Sequence, residues 1–310
     1  MHRNELKALI VGPVVTVPTP FDDRFDVDFG LMAERTRFWV ASGLVAGKAV
    51  IKVAAAMGEG PMLREWEWPA LLRATTRAAE GKAAIVCGIQ HKDTLRTIED
   101  IRQAQDLGAI GVQVAPPIFN DPTQDDILRF FDAISQAIDI GVIIYNQPWY
   151  PHGAILPETF MRMKDFEHIV AIKWATLPGV AYDEVARLTP IFNIIDNTLE
   201  PVRCHKLGGR GFITDTAMAY PAHDLRIWEL MESGRHDEAQ ALYEPVNRTL
   251  REFYSKLAAE SGGQGRLTKA LMQVMGIPMG ASRPPTLPLS AAQLAELRQI
   301  LIGFGWPVPA

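Results

Sequence analysis

The sequence predicts an α/β protein, a (β/α)8 TIM barrel with a C-terminal helical extension. Three observations predict it. Eight short apolar runs rich in valine and isoleucine recur over the first two thirds of the chain. Polar segments with helical spacing separate most of them. Near residue 223 the runs stop while the helical spacing goes on. Near-continuous apolar strands that alternate with helices imply a parallel sheet buried on both faces, and eight such units suggest a closed barrel. A doubly wound open sheet is the rival. It loses ground because no GxGxxG follows the first run.

The first strand is read at PVVTV (13–17). The residues before it, MHRNELKALIVG, superficially resemble a leader peptide. Glu5 interrupts the basic part, Pro13 interrupts the apolar part, and no small-residue cleavage site follows, so no leader is expected. The other strands are read at AVIKVA (49–54), AAIVCGI (83–89), IGVQVA (110–115), GVIIYN (141–146), IVAIKWA (169–175), IFNIID (191–196) and GFITD (211–215). DFGLMAERTRFWVASG (28–43) repeats apolar residues at three and four and stops at Gly43, which reads as a helix. TLRTIEDIRQAQDLG (94–108) does the same, with Thr94 as N-cap and Gly108 as stop. The barrel is assigned to residues 1–222 and the extension to 223–310. Within the extension, helices are read over 224–261 with a break near Gly234, over 266–277 and over 290–305. SGGQG (261–265) and ASRPPTLPL (281–289) are loops by composition.

With 310 residues, 48% of them hydrophobic, the chain can bury a large core. Its net charge is −5 and its basic residues are dispersed, which argues against nucleic acid as a partner. No apolar run approaches the roughly 20 residues of a membrane helix. Cys87 and Cys204 lie far apart, without metal or redox spacing. That suits a cytoplasmic protein without a disulfide scaffold.

Two apolar runs carry one lysine each, Lys52 in the second and Lys173 in the sixth. Burying an unpaired ammonium is costly, so each needs a reason. Active sites of (β/α)8 barrels lie at the C-terminal ends of the strands. Tyr145 and Lys173 both fall there, on adjacent runs. A lysine walled by isoleucine and valine and facing a tyrosine can act as a Schiff-base nucleophile. Its pKa must fall from about 10.4 to roughly 7–8, a change worth about 4 kcal/mol, which burial can supply. Tyr145 would then move protons to and from the carbinolamine oxygen. The alternative is a lysine that snorkels to the rim beside a core tyrosine.

YNQP (145–148) and IK (172–173) resemble the dihydrodipicolinate synthase and N-acetylneuraminate lyase family of class I, Schiff-base-forming lyases and aldolases. The resemblance extends to TPF (19–21), GEGPML (58–63), PP (116–117), LGGRGFIT (207–214), TKALMQVMGI (268–277) and RPPTLPLS (283–290), in order along nearly the whole chain. It implies a (β/α)8 barrel, Lys173 as the Schiff-base lysine and Tyr145 as the proton-relaying tyrosine. It also implies a small-molecule carbonyl substrate, no cofactor, and a homo-oligomer, tetramer or dimer. In that frame Lys52 is expected to pair with a carboxylate at the barrel–helix boundary, or else to supply positive charge below the pocket.

The chain also departs from the family pattern. Where the family carries two hydroxyls before its GE, this chain has Ala56 and Met57 before Gly58 and Glu59, whose backbone amides are expected to remain as donors. Phe119 stands where a second relay tyrosine is common, and the WYPHG loop (149–153) lacks the arginine that recognises a second carboxylate. Hydrogen bonds to a charged group are worth about 1.5–3 kcal/mol each, so losing two weakens pyruvate binding by roughly 10²- to 10⁴-fold. Ala56, Met57, Phe119 and Thr214 are assigned to substrate binding, with His91, Thr198 and Thr216 as further candidates at the mouth. Trp149 and Trp174 face either the pocket, which would suit a bulkier or more apolar carbonyl compound, or the helices and subunit contacts.

The expected activity is therefore a Schiff-base lyase with an altered, more apolar pocket, and dihydrodipicolinate synthesis itself is doubtful. Its main rival is a barrel of the same family that binds a small molecule without lyase chemistry. A metal-dependent hydrolase or aldolase is weaker, because His91, His152 and His205 are scattered and no metal is expected. A phosphate site at KLGGRG (206–211) competes with a simple tight turn.

Overall fold

A computed structural model describes residues 1–90 and 92–310 of the chain. Eight parallel strands close into a barrel in chain order: β1 (Gly12–Thr16), β2 (Val50–Val53), β3 (Ala84–Gly88), β4 (Gly111–Val114), β5 (Gly141–Tyr145), β6 (Ile169–Trp174), β7 (Asn193–Asp196) and β8 (Gly211–Thr214). Each overlaps the apolar run that predicts it. Strand side chains alternate between the two faces of a sheet. Val14, Val50, Val86, Ile143 and Ile195 pack together inside the barrel. Val15, Ile51, Ile85, Val112, Ile144 and Ile172 join the layer shared with the helices. Both faces are dry, which is why the runs read as continuously apolar rather than alternating.

The helices are α1 (Arg3–Leu9), α2 (Phe29–Ala41), α3 (Glu67–Ala79), α4 (Thr94–Asp106), α5 (Gln124–Ala137), α6 (Pro157–Arg162), α7 (Pro201–Lys206), α8 (Pro221–Glu232), α9 (His236–Ala258), α10 (Gly265–Val274) and α11 (Ala291–Gly303). Between β6 and β7 stands a 3₁₀ segment, Tyr182–Arg187. Asp93, not Thr94, caps α4, accepting from the Leu95 and Arg96 amides. Aspartate is the better acceptor and sits one residue earlier. α8 and α9 separate at Gly234, whose φ of 75° suits glycine.

Helix α1 is absent from the sequence reading, because seven residues are too few for a helical period to stand out. Its Leu6, with Ile10 just after it, joins the interior cluster and closes the bottom of the barrel. Arg3 and Lys7 fix it there, both donating to the Ile191 carbonyl.

Several of the family-like motifs meet at one place. Glu59 pairs with Lys269 of α10 at 2.8 Å, and both side chains are buried. Lys269 Nζ stands 4.3 Å and the Arg283 guanidinium 4.5 Å from the Phe21 ring centroid. Arg283 also binds Glu67 of α3 through both carboxylate oxygens, at 2.7 and 2.8 Å. The loops after β1 and β2 are thus clamped to the C-terminal helices.

Candidate active site

β5 and β6 are neighbours, and their register sets Tyr145 opposite Lys173. Alternation along β6 turns Lys173 inward and Trp174 outward. Trp174 is fully buried against Phe160 of α6, with ring centroids 6.5 Å apart, so it faces the helices. Lys173 is only 5% exposed, and its Nζ lies 3.6 Å from the centroid of the Tyr145 ring. Burial holds the Lys173 amine well below an ordinary lysine, and the charge of Lys52 pushes it the same way. Burial pushes the Tyr145 phenol up to about 12, against a hydrogen bond with Gln147 that favours ionisation. The pair therefore sets an amine of lowered basicity beside a phenol that stays protonated near neutrality.

The amine opens into a cavity of about 300 Å³. Met57 and Trp149 line it, and the Trp149 ring meets Tyr145 edge-on at 5.8 Å. Asn197, Asp215, Tyr254, Gln264 and Thr268 contribute polar groups, and Leu267 a further apolar one. Asp215 follows β8. Burial and neighbouring Asp224 push its carboxyl up to about 6, while Arg251 opposes the shift. Sequence reasoning missed these groups. For Asp215 a signal existed, a carboxylate ending an apolar strand run. Tyr254, Gln264, Leu267 and Thr268 come from α9, α10 and the loop joining them, and no sequence pattern says which face of those helices meets the barrel mouth.

The residues assigned to substrate binding disperse. Met57 reaches the cavity. Ala56 is exposed at the start of a 3₁₀ turn, Ala56–Gly58. The turn is flanked by Ala54 at φ 54° and Glu59 at φ 62°, both left-handed, a costly conformation for residues with a Cβ. The Gly58 and Glu59 amides, expected as open donors, bond to the Ala55 and Ala56 carbonyls inside this turn. Gly60 follows because a Cβ there would collide with the Ala54 carbonyl oxygen. Phe119 is 83% exposed and lines a different cleft, with Lys92, Asp100 and Leu63. Its 3₁₀ turn, Ile118–Asn120, carries it away from the amine.

Thr214 is buried behind β8, where its hydroxyl meets that of Thr216 at 3.0 Å, and Thr216 donates to Asp224 at 2.8 Å. Thr198 is held by Asp196 at 2.6 Å. His91 lies outside the described residues. Lys52 does not pair with a carboxylate at the barrel–helix boundary. Its Nζ donates to Gln113 Oε1 at 2.7 Å, with both side chains buried. Strand alternation points it into the barrel, where helix carboxylates cannot reach.

Among the described residues no group of three or more His, Cys, Asp or Glu is placed to hold a metal. His152 pairs with Asp121, and His205 bonds His236 and Glu232, all away from the cavity. Gly208, at φ 94°, makes the tight turn after α7, while a Cβ at Gly209 or Gly211 would collide with Cys204 or with the Gly12 carbonyl, so packing accounts for the other KLGGRG glycines. No helix among the described residues is long and apolar enough to cross a membrane.

Comparison with known proteins gives a consistent result. Residues 10–302 match the model of the Dihydrodipicolinate synthetase family. A 4-hydroxy-tetrahydrodipicolinate synthase of Synechococcus sp. (strain JA-2-3B'a(2-13)) is 30% identical, over 95% of this chain and 94% of the relative. The enzyme of that name from Heliobacterium modesticaldum is 28% identical, over 94% and 95%. A dihydrodipicolinate synthase structure from Thermotoga maritima superposes with a TM-score of 0.81 at 25% identity, covering 96% of this chain and 99% of that one.

Proposed function

The chain belongs to the dihydrodipicolinate synthetase family, and from that premise we propose that it is a lyase working through a Schiff base at Lys173 on a keto acid or related carbonyl compound. One observation carries the reading. A buried lysine amine, depressed in basicity, lies on the face of a tyrosine at the C-terminal ends of two paired strands.

The free amine attacks the carbonyl carbon, a C–N bond forms, and the carbonyl electron pair moves to oxygen, which takes up a proton. The proton that nitrogen gives up passes to the hydroxyl, which leaves as water, and the resulting iminium withdraws electrons from the neighbouring carbon–carbon bond. The Tyr145 phenol, protonated near neutrality, is the group at hand to supply the proton that the oxygen needs. The amine supplies the electron sink itself, so the reading calls for no cofactor.

The substrate differs from that of the named synthases. Among the described residues the cavity is lined by no arginine and no cation other than Lys173 to neutralise a second carboxylate. Trp149, Met57 and Leu267 offer apolar contact, while Asn197, Gln264, Thr268 and Asp215 offer hydrogen bonds. This lining suits a carbonyl compound whose far end is apolar or carries hydroxyl or ammonium donors. The reading includes self-association into a dimer or tetramer, which sedimentation velocity measures.

The test is covalent trapping. Borohydride added with a panel of keto acids and aldehydes is expected to leave a substrate mass on the Lys173 peptide and none on the Lys52 peptide. No adduct across the panel sinks the reading. The lack of a hydroxyl at Met57, the one of the three altered positions that reaches the cavity, favours a second reading, a barrel that binds a small molecule without lyase chemistry. Binding that survives Lys173→Ala would select it.

A further inference from the structure

Lys52 is the second lysine inside the barrel, and it carries no role in the reaction just described. It projects inward from β2, in register with Thr16 of β1 and Val86 of β3. It is 1% exposed. Its bond to Gln113 satisfies one N–H but brings no negative charge, since the acceptor is a neutral amide. Among the described residues no carboxylate pairs with it. The Thr16 hydroxyl beside it is also buried and finds no partner there. Around this polar level the interior is aliphatic, with Val50, Val86, Ile143 and Ala171. A methionine or leucine would fill the same space without desolvating an amine, so packing gives no reason for a lysine.

We propose that Lys52 is a positioning residue for the Lys173 chemistry: held by Gln113, which pairs across β4 and β5 with Ile143, two residues before the Tyr145 that stands opposite Lys173, it places a positive charge in the layer of inward side chains next to the Lys173 amine and adds to burial in favouring the unprotonated form. Two lysines in one low-dielectric interior cannot easily both be charged. A neighbouring cation is a recognised way to activate a lysine nucleophile.

The other groups facing the cavity do not supply this effect. From β5 comes the Tyr145 ring, whose face attracts a cation and so favours the ammonium form. From beside β8 comes Asp215, which when ionised also favours the ammonium form. From α9 comes the Tyr254 phenol; from β7, α10 and the loop before α10 come only neutral groups. Lys52 is the group that acts in the opposite direction. Burial lowers Lys52 itself to about 7, so near neutrality a substantial fraction carries the charge.

This inference rests on Lys173 being the reacting amine, and its test does not depend on turnover. Competitive acetylation of the native protein with acetic anhydride, read on the Lys173 peptide as a function of pH, gives the titration midpoint of that amine. In Lys52→Met the midpoint is expected to rise by about one pH unit, a ten-fold change in the amine–ammonium ratio. Gln113→Glu gives Lys52 a carboxylate partner without removing it, and the same rise is expected. A merely structural Lys52 would leave the midpoint in place, and an unmoved midpoint in either folded variant overturns the proposal. Keto-acid trapping on the same samples separates the two claims. A shifted midpoint without any adduct would strike the lyase reading alone, and adducts with an unshifted midpoint would strike the role of Lys52 alone.

Discussion

Lys173 Nζ lies 3.6 Å from the centroid of the Tyr145 ring, against the face of the ring rather than at its hydroxyl. The phenol oxygen, at the edge of the ring, is bonded to Gln147. In the proposed reaction this arrangement separates two duties: the ring helps to wall the amine from water, and the hydroxyl exchanges a proton with the oxygen of the carbonyl that the amine attacks.

Replacing Tyr145 by Phe should separate those duties experimentally. The ring remains, so the Lys173 titration midpoint is expected to stay close to that of the wild type. The proton donor is lost, and general acid–base contributions of this kind are worth about 10²- to 10⁴-fold. The rate of adduct formation in a quenched borohydride assay is expected to fall by that order while the final adduct still forms on Lys173. An unchanged rate would remove Tyr145 from the chemistry.

Lys52 makes a prediction about stability as well. Its folded pKa, about 7, lies below the ordinary 10.5. Between those values the unfolded chain binds a proton that the folded chain does not, so stability rises with pH through the window. Below about 7 the full penalty applies, on the order of 5 kcal/mol by the size of the displacement. The double variant Lys52→Met with Gln113→Leu removes both partners, so no amide is left unsatisfied. Urea unfolding at pH 7 and pH 10 should show the wild type gaining stability over this interval and the variant gaining less, while Lys173, also depressed by burial, keeps its own part of the slope. Equal slopes would mean that Lys52 is not buried as described.

The barrel and its strand order were legible because both sheet faces are dry, so the apolar runs carry the whole signal. That Lys173 and Tyr145 stand side by side was legible because both lie near the ends of adjacent runs, at positions where alternation points inward. The binding residues were harder. Phe119 and Ala56 belong to short turns, and no periodicity fixes where a turn directs a side chain. Lys52 was misjudged because a lone lysine in a strand suggests a carboxylate partner, whereas its acceptor is the Gln113 amide, which only the barrel's closure brings across. Tyr254, Gln264 and Thr268 of the cavity come from the C-terminal helices and the loop between them, packed over the mouth by the Glu59–Lys269 contact, which links residues far apart in the chain.

That contact yields a third prediction. Lys269 and Glu59 are both buried, and removing one member of a buried pair leaves an uncompensated charge, typically costing 3–5 kcal/mol. Lys269→Met is expected to destabilise the protein by about that amount in urea unfolding and to weaken small-molecule binding at the Lys173 cavity, since Leu267 and Thr268 lie on the same helix. Restoring neutrality with Glu59→Gln in the same chain should recover a large part of the stability. No recovery would mean that the pair acts through packing alone.

Asp215 carries the last prediction. Its carboxyl, pushed up to about 6, lies above the ordinary 3.8 because of burial and Asp224. Between these values the folded protein holds a proton that the unfolded chain has lost, so stability falls as pH rises from about 4 to about 6 and stays lower beyond. Asp215→Asn cannot ionise. It is expected to match the wild type in melting temperature at pH 4 and to exceed it at pH 7.5, while Asp224, itself near 6, keeps part of the slope. The same variant bears on the substrate. Asparagine keeps the shape and the carbonyl acceptor but removes the charge, so trapping of a carbonyl compound with an ammonium at its far end should drop sharply, while a hydroxylated one should be little affected. A variant indifferent to both would show that the far end of the substrate lies elsewhere in the cavity, against Gln264 and Thr268 rather than beside β8.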